Sequence, residues 1–573
     1  MSSQTIDITD EVRFFIKGLW EVLFKGGLAF YAWMVALTIL VAIGVTTYSS
    51  QFIEGLVITN MREQVSWGFY ISNFTFLVGV AAAAVLLVIP AYLYHFKSIK
   101  RIVAFGELLA VTAVLMALLF VMVDTGRPDR LWHAIPLIGY LNIPSSVLGW
   151  DMIVLNGYLA INLTVSFYLG ANTYFGKEPN KRFVIPLILL SIPWAVGLHT
   201  VTAFVYSGMA ARPFWNASIL APRFLASAFC AGPSLMIIIF QVLRKMMDFK
   251  IRDSAIFHLA EIVSYAMAIN LFLLMAEVYK EFYTDTIHLA PMKYLFFGLH
   301  GHNNLVPWIW TALLFNIVGF ILFLIPKTRK NFITLNIGCV LLFVGIWIEK
   351  GMGLIIPGFI PDALGEIYEY MPSRKEIMIA MGIWALGAML YTCFVRLAIA
   401  VDTGRLRHRA APPIALDEEE GLLAKNIMTR KALTVTPETS VEDIRQILLS
   451  NRISGVPVVD PNNRVVGIVS ESDIVISLIH EDPQLTEKLK DIVQSESHQQ
   501  KAKPGNTAAD IMTSPAITAI ENTPLEELIH IITSKRIKRV IIVDSGDQPL
   551  GIVSKIDIVK AQSYEKVALS SNI

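Results

Sequence analysis

A carboxylate and an imidazole lie inside two consecutive apolar segments of the sequence. Asp151 is one turn inside the run 147–170, and His199 lies within the run 183–207. An ionisable side chain at the centre of a membrane span costs roughly 2.5–3.5 kcal/mol even on the most lenient scale, so such residues are candidates for function. Two groups of this kind that face each other could accept the two protons that a quinol loses on oxidation. We therefore interpret Asp151 and His199 as a candidate catalytic pair.

Helical spacing places further polar residues on the same two helix faces. The shared faces hold Asp151, Tyr158 and Asn162 on the first segment, and His199, Thr202 and Tyr206 on the second. At a rise of 1.5 Å per residue, Asp151 lies roughly 6 Å and His199 roughly 12 Å from the same membrane boundary. Two structural alternatives stay open at this point. A carboxylate in a first helical turn is stabilised by the helix dipole, and a backbone carbonyl can satisfy a buried imidazole.

A second group of polar residues lies towards the opposite ends of the predicted spans. Its members are Glu107, His258, Glu261 and Asn336. Ionisable residues within membrane segments are typical of proton paths in pumps and transporters. Polar side chains also join neighbouring helices through hydrogen bonds. The group is therefore a candidate proton path from the cytoplasm, with interhelical hydrogen bonding as the alternative.

The composition narrows the class of protein. The 573 residues are 55% hydrophobic with a mean hydropathy of +0.58, well beyond a soluble globular protein. The net charge of +1 gives no indication of nucleic-acid binding. The cysteines Cys230, Cys339 and Cys393 lie far apart, which excludes a C-x-x-C-H haem attachment, a cysteine-ligated iron–sulfur cluster and a disulfide framework. We expect no metal site, haem or iron–sulfur cluster in this chain, so any metal centres belong to other subunits.

Ten apolar runs are long enough to cross the hydrocarbon core of a membrane. Before them, residues 12–24 carry an apolar stripe at helical spacing, typical of a helix that lies in the membrane surface. The predicted fold class is an all-α polytopic membrane bundle of ten transmembrane helices, followed by a soluble α/β module. The predicted limits are 1–28 for the interfacial amphipathic helix and 29–400 for the membrane domain. The spans are 29–49, 68–94, 102–123, 147–170, 183–207, 223–244, 256–279, 307–326, 332–350 and 377–400.

The connections between the spans differ in charge. The even-numbered ones are short and rich in Lys and Arg, in the stretches 95–101, 177–182, 244–252 and 327–330. The odd-numbered ones are longer and of mixed sign, as in 124–130 and 362–376. Because basic connections stay on the cytoplasmic side, both termini are predicted to be cytoplasmic. The chain is thus expected to be a multi-pass protein of the bacterial inner membrane.

After Val401 the sequence becomes that of a soluble α/β protein with an internal repeat. The stretch 425–429 returns at 509–513, and 467–475 returns at 551–559, both at an offset of 84 residues. Each unit has a helical pattern followed by two short β-branched runs. We therefore predict a linker at 401–420, a first repeat at 421–480, a second linker at 481–507 and a second repeat at 508–565.

The repeat resembles a tandem pair of CBS domains. An I-M-T opening, a V-P-V-V-D centre and a G-I-V-S-x-x-D ending stand at the expected places. The resemblance implies that an aspartate takes the ribose hydroxyls of an adenine nucleotide and that a serine three residues earlier takes phosphate. These residues are Ser470 with Asp473 and Ser554 with Asp557; Arg464, Arg536 and Arg539 are possible further phosphate contacts. The alternative is a packing or dimerisation unit with empty clefts.

The membrane part resembles the NrfD/PsrC family of quinone-interacting membrane subunits, and within it the ten-span branch with DsrP and HmcC. The resemblance rests on the stretches 67–79, 124–130, 149–158, 191–203, 223–229 and 353–361. It implies a protein without its own metal cofactor that exchanges electrons between menaquinone or another quinone and a periplasmic iron–sulfur subunit. A multihaem cytochrome c is a possible additional partner. A CBS extension departs from the usual plan of the family.

The candidate contacts of the quinone complete this interpretation. They are Tyr70, Asn73, Trp150, Tyr158, Thr202 and Tyr206. The competing hypothesis is a CBS-regulated ion channel or transporter, because such proteins also end in CBS pairs. Against it, the spans lack a glycine loop of the selectivity-filter type and an acidic cluster for divalent cations.

Overall fold

The structure is a computed structural model whose chain divides into two compact units, Met1–Ile414 and Ala415–Ile573. It describes residues 8–89, 102–134, 138–247, 249, 251–286, 289–362, 364–409, 411, 423–430, 432–451, 453–481, 505–544 and 546–559. The predicted basic connection 95–101 lies outside the described residues. So do 412–420 of the first predicted linker and 482–504 of the second.

The first unit is helical, and among its described residues ten helices are long and apolar enough to cross a membrane. The predicted all-α bundle of ten spans is therefore confirmed. The helices are α1 (Ile8–Phe24), α2 (Leu28–Glu54), α3 (Phe69–Val88), α4 (Val103–Asp124), α5 (Val147–Phe175), α6 (Lys181–Ser207), α7 (Leu220–Met246), α8 (Asp253–Thr284), α9 (Leu289–Phe297), α10 (Val306–Leu324), α11 (Phe332–Lys350) and α12 (Arg374–Asp402). The spans are α2 to α8 and α10 to α12.

Several helices run past the limits predicted from apolar runs, because polar caps rather than hydropathy end them. Helix α5 begins after Ser146, whose hydroxyl accepts a hydrogen bond from the backbone N–H of Gly149. It ends at Gly176, which has φ +64° and closes the helix in the left-handed conformation. The helix therefore runs five residues past the predicted limit of the membrane span at residue 170.

Helix α3 is the centre of the bundle. It packs on α4, α7, α11 and α12, and nearly all of its residues are buried. A helix that is buried all round is expected to be apolar all round, and α3 shows little amphipathic character. The few polar residues of α3 therefore point into protein, which places Tyr70, Asn73 and Thr75 where a buried site can use them.

The first and last spans cross at two glycines. A Cβ added to Gly44 would lie 2.6 Å from the Cα of Gly382, and one added to Gly382 would lie 2.7 Å from the Cα of Gly44. Small residues at such a point let helix backbones approach closely within a membrane. This contact joins the N-terminal and C-terminal spans of the bundle.

Helix α1 packs against the last span and leaves an apolar face exposed. The guanidinium of Arg396 donates to the backbone carbonyls of Val22 and Lys25, and it lies 4.0 Å from the ring centre of Phe30. The large side chains Ile16 and Trp20 of α1 are 57% and 60% exposed. An exposed apolar face of this kind suits the predicted position in the membrane surface, which stays a prediction.

The second unit contains two small sheets and two apolar cores. Its strands are β1 (Thr429–Arg430), β2 (Gly455–Val459), β3 (Val465–Ser470), β4 (Thr518–Ile520), β5 (Arg539–Val543) and β6 (Pro549–Ser554). Its helices are α13 (Ala424–Ile427), α14 (Val441–Asn451), α15 (Glu471–Glu481), α16 (Ala508–Ile511) and α17 (Leu525–Ser534). One sheet has the order β1-β6-β5-β4 and the other pairs β2 with β3.

The opening segments of the two repeats are exchanged between the sheets. Strand β1 of the first repeat pairs with β6 of the second, and Thr513 of the second repeat bridges to Ile468 on β3 of the first. Each core then combines residues of both repeats, such as Ala424 with Val540, and Val456 with Ile511. The predicted α/β character of the module is confirmed.

Candidate functional site

Asp151 is buried between two membrane helices and has one defined partner. It lies in the first turns of α5, is only 5% exposed, and its Oδ1 accepts a hydrogen bond of 2.6 Å from the hydroxyl of Thr202 on α6. A neutral hydroxyl fixes the position of a carboxylate without neutralising its charge. The carboxylate therefore keeps the capacity to take up a proton.

His199 lies one turn before Thr202 on the same helix and is 1% exposed. Its Nδ1 is 2.9 Å from the backbone carbonyl of Ala195. A carbonyl can only accept, so Nδ1 carries the hydrogen of the neutral ring and Nε2 presents a lone pair. Within the described residues, Nε2 is buried without a hydrogen-bond partner. The backbone carbonyl thus satisfies one nitrogen and leaves the other available as a base.

Aromatic side chains form a rigid wall beside this pair. The hydroxyl of Tyr206, one turn after Thr202, makes a short hydrogen bond with the hydroxyl of Thr75 on α3. The Tyr206 ring packs edge-on against Trp67 with centres 5.8 Å apart, and its centre is 5.6 Å from that of Trp215. Trp215 is held by a 2.8 Å hydrogen bond from its Nε1 to the carbonyl of Leu354. Side chains fixed in this way can orient a flat ring-shaped molecule.

Three further predicted contacts are buried, but their polar atoms have partners elsewhere. The hydroxyl of Tyr158 donates to the carbonyl of Ala81 at 3.3 Å. Tyr70 donates to Oε1 of Gln51 at 2.7 Å. The amide oxygen of Asn73 accepts from Nε1 of two tryptophans, Trp347 at 3.1 Å and Trp384 at 3.0 Å. Asn73 and Tyr70 therefore brace α3 against its neighbours in this structure.

The side chain of Trp150 points in a different direction from that of its neighbour Asp151. It is 40% exposed, and its Nε1 donates to the carbonyl of Pro144 at 3.1 Å. Successive residues of a helix point about 100° apart, so adjacency to Asp151 in the sequence does not bring the indole to the same face. The structure does not place Trp150 with Asp151 and Thr202, and its predicted role as a quinone contact has no support in these contacts.

Among the candidates for a proton path, Glu107, Glu261 and Asn336 contact other side chains. Glu107 is buried and accepts a 3.3 Å hydrogen bond from Ser166. His258 is exposed, and Glu261 lies 3.5 Å from Arg329. Asn336 exchanges two hydrogen bonds with the amide of Gln241, at 2.5 and 3.1 Å. These contacts correspond to the alternative of interhelical hydrogen bonding; the proton path itself stays a prediction.

A buried group of charges was not predicted from the sequence. Arg223 on α7 forms ion pairs with Glu277 on α8 and Glu349 on α11, and Lys350 lies 3.7 Å from Glu349. Asn316 on α10 donates to the second oxygen of Glu349 at 2.8 Å. We call these five residues the buried charge cluster. Adjacent Glu349 and Lys350 at the end of an apolar run were the available signal, since charges at the end of a span need partners when they face inward.

Two cavities lie near these groups. One of about 380 Å³ is lined largely by apolar and aromatic side chains, among them Phe69, Trp308 and Trp347. A volume of this size suits a small apolar ligand, although neither Asp151 nor His199 lines the cavity. A second cavity of about 10 Å³ lies between Thr75 and Lys350, with room for about one water molecule. This small space separates the Tyr206–Thr75 contact from the buried charge cluster.

The two repeats of the second unit carry matching polar sites. Asp473 accepts hydrogen bonds from the backbone N–H and hydroxyl of Ser470, at 2.8 and 2.6 Å. Asp557 accepts the same pair of bonds from Ser554, also at 2.8 and 2.6 Å. Burial raises the pKa of the Asp473 carboxyl above its ordinary value, which the hydrogen bonds from Ser470 partly oppose. Each serine thus positions the carboxylate three residues later.

These features define a polytopic membrane protein, with a buried carboxylate and a buried imidazole on neighbouring helices, and an α/β module of paired repeats. The chain belongs to the polysulphide reductase NrfD family, whose model matches residues 57–360, more than half of the chain. CBS domains match residues 424–480 and 508–564. Both resemblances inferred from the sequence are confirmed.

Three relatives match the membrane part, each over 64% of this chain. A putative membrane subunit of the dimethyl sulfoxide reductase of Halobacterium salinarum is 22% identical, with 90% of its length covered. A subunit of the selenate reductase of Mesobacillus selenatarsenatis is 23% identical, with 93% covered. An integral membrane subunit of an Hdr-like menaquinol oxidoreductase of Archaeoglobus fulgidus is 24% identical, with 91% covered. The chain is therefore similar to membrane subunits of reductase complexes.

Proposed function

We propose that this protein is the quinone-interacting membrane subunit of a respiratory redox complex. The observation that carries the proposal is the buried pair on α5 and α6. Thr202 holds the carboxylate of Asp151, and one turn away Nε2 of His199 is free to accept a proton. The name of the Archaeoglobus relative, a menaquinol oxidoreductase subunit, supports menaquinol as the substrate class.

Asp151 and His199 accept the protons that the reaction releases. Oxidation of a quinol to a quinone releases two protons and two electrons. In this proposal Asp151 and His199 each take one proton from a ring hydroxyl, and the wall of Tyr206, Trp67 and Trp215 orients the ring. The 380 Å³ apolar cavity beside Phe69 and Trp347 suits the hydrocarbon tail. The electrons pass to a partner, for which a periplasmic iron–sulfur subunit is the first candidate and a multihaem cytochrome c the second.

The CBS pair is proposed to bind an adenine nucleotide in the clefts of Asp473 and Asp557 and to change the turnover of the membrane part. The membrane site and the repeats lie in different compact units. Any influence must therefore pass through an element that has two positions. The last span α12 is the candidate, because the chain runs from it through the basic linker into the first repeat.

An assay of the purified protein in liposomes separates this function from that of a channel or transporter. We expect the chain with its co-purified partners to oxidise a menaquinol analogue and to reduce an artificial acceptor. We expect no ion or solute flux above that of empty liposomes. Flux without quinol oxidation would contradict the proposal and favour the channel.

The proposed orientation in the inner membrane predicts two different reactivities. Cysteine introduced at the exposed Asp129 should react in intact cells with a thiol reagent that cannot cross the membrane. Cysteine at the exposed Glu178, in the basic connection after α5, should react only after the cells are opened. The unmodified chain, with its own three cysteines, gives the background. The opposite pattern would place the CBS pair outside the cytoplasm.

A further inference from the structure

One difference between the two CBS clefts is a pair of equivalent positions beside the serine of each site. The 84-residue offset makes Gly455 at the start of β2 equivalent to Arg539 at the start of β5. Both residues pair with the serine of their own site, Gly455 with Ser470 and Arg539 with Ser554. One repeat therefore carries a long cationic side chain at the place where the other carries none.

The side chain of Arg539 crosses from the second repeat to the first. Its Nη1 occupies the space that a Cβ added to Gly455 would need. Burial lowers the pKa of the Arg539 guanidinium, and the nearby carboxylates of Glu471 and Asp473 partly oppose this shift. Arg539 thus faces the cleft of Ser470 and Asp473, while the residue at the equivalent position, Gly455, offers no side chain to the cleft of Ser554 and Asp557.

One nitrogen of the Arg539 guanidinium is buried and lacks a hydrogen-bond partner. The part of the chain that the structure describes offers Nη1 no acceptor within hydrogen-bond distance. A guanidinium stays charged at all physiological pH values, and it presents a planar fork of donors that fits a phosphate. A ligand phosphate in this cleft would supply the missing acceptor.

We propose, on the basis of the nucleotide binding proposed above, that Arg539 makes the Asp473 cleft selective for an adenine nucleotide that carries a phosphate. The Asp557 cleft, which faces Gly455, accepts the nucleoside and the nucleotide with similar affinity. The module then binds two classes of ligand: phosphorylated adenine nucleotides in the first cleft, and both nucleosides and nucleotides in the second.

Calorimetric titration of the full-length protein in detergent with AMP and with adenosine tests this assignment. Asp557→Ala disables the second cleft, so that binding is measured in the first cleft alone. That cleft should bind AMP about tenfold to a hundredfold more tightly than adenosine, because the phosphate of AMP gains charge-assisted hydrogen bonds from Arg539. Asp473→Ala disables the first cleft, so that binding is measured in the second cleft alone. There the affinities for AMP and adenosine should agree within about threefold.

The decisive variant adds Arg539→Gln to Asp557→Ala. It should lower the affinity for AMP to that for adenosine, while Arg539→Lys should retain part of the preference because the charge remains. Arg445→Gln in the same background is the matched control, since it removes an exposed arginine of the module that pairs with Glu442 on the surface of α14. In the chain with both aspartates, Arg539→Gln should still bind adenosine in the second cleft, which shows that the module is folded.

Several outcomes would overturn the assignment. An equal loss of affinity for AMP and adenosine would make Arg539 a structural residue. A gain in AMP affinity in the Arg539→Gln variant would show that the Arg539 side chain blocks the cleft rather than binding the phosphate. AMP binding without any preference over adenosine would reject the selectivity alone. Binding of neither ligand to the unmodified chain would reject the proposed nucleotide sensing together with it.

Discussion

Replacing Asp151 by asparagine is expected to lower quinol-linked electron transfer by about 10²–10⁴-fold, the usual contribution of a positioned acid–base group. Asparagine keeps the size of the side chain, and its amide oxygen can still accept the hydrogen bond from Thr202. It cannot take up a proton at neutral pH. The substitution therefore removes the chemistry and leaves the packing of α5 on α6 intact.

The rate of quinol oxidation by the assembled complex measures the effect, with the yield of assembled complex as a second readout. His199→Gln should cause a loss of the same order, because glutamine keeps a polar group but no basic nitrogen at Nε2. Asp129→Asn is the matched control, since it removes an exposed carboxylate from the loop after α4. If Asp151→Asn retained most of the activity in a fully assembled complex, Asp151 would serve helix packing only.

The part of the membrane site that follows from helical periodicity could be predicted from the sequence. Spacing placed Thr202 on the face of His199, and Thr202 is the residue that bonds to Asp151. Spacing could not decide which residue of α6 stands at the depth of Asp151, because depth depends on helix tilt. Thr202 rather than His199 is at that level. Trp150 shows the opposite case, since a residue next to Asp151 in the chain lies on another face.

Contacts between helices that are distant in the sequence could not be predicted from helical periodicity. The buried charge cluster joins residues of α7, α8, α10 and α11, and no periodic pattern relates them. Arg223 and Glu277 lie at the ends of the predicted spans 223–244 and 256–279, but only packing shows that they form a pair. In the CBS pair, the linear motifs identified Ser470 and Asp473. The approach of Arg539 to Gly455 follows from the arrangement of two repeats and could not be predicted from either motif.

Removal of Glu349 is expected to have the largest effect on stability. The cluster contains two anions, Glu277 and Glu349, and two cations, Arg223 and Lys350, so its charges balance. Glu349 accepts hydrogen bonds from Arg223 and from Asn316, both at 2.8 Å. Glu349→Ala would leave two buried cations with a single anion and an unpaired amide. Breaking a buried ion network in this way costs about 3–5 kcal/mol.

The midpoint of thermal unfolding in detergent, together with the yield of monodisperse protein, measures this loss. Asp129→Ala is the control for an ordinary ion pair, because it breaks the exposed pair with Arg127, for which solvent screening leaves little stabilisation. The double variant Glu349→Gln with Lys350→Met tests the reason for the loss. It restores the balance of charges and keeps the side-chain volumes, so it should recover part of the stability that Glu349→Gln alone loses. A double variant no more stable than Glu349→Gln would show that the hydrogen bonds from Arg223 and Asn316, rather than the balance of charge, hold α7, α10 and α11 together.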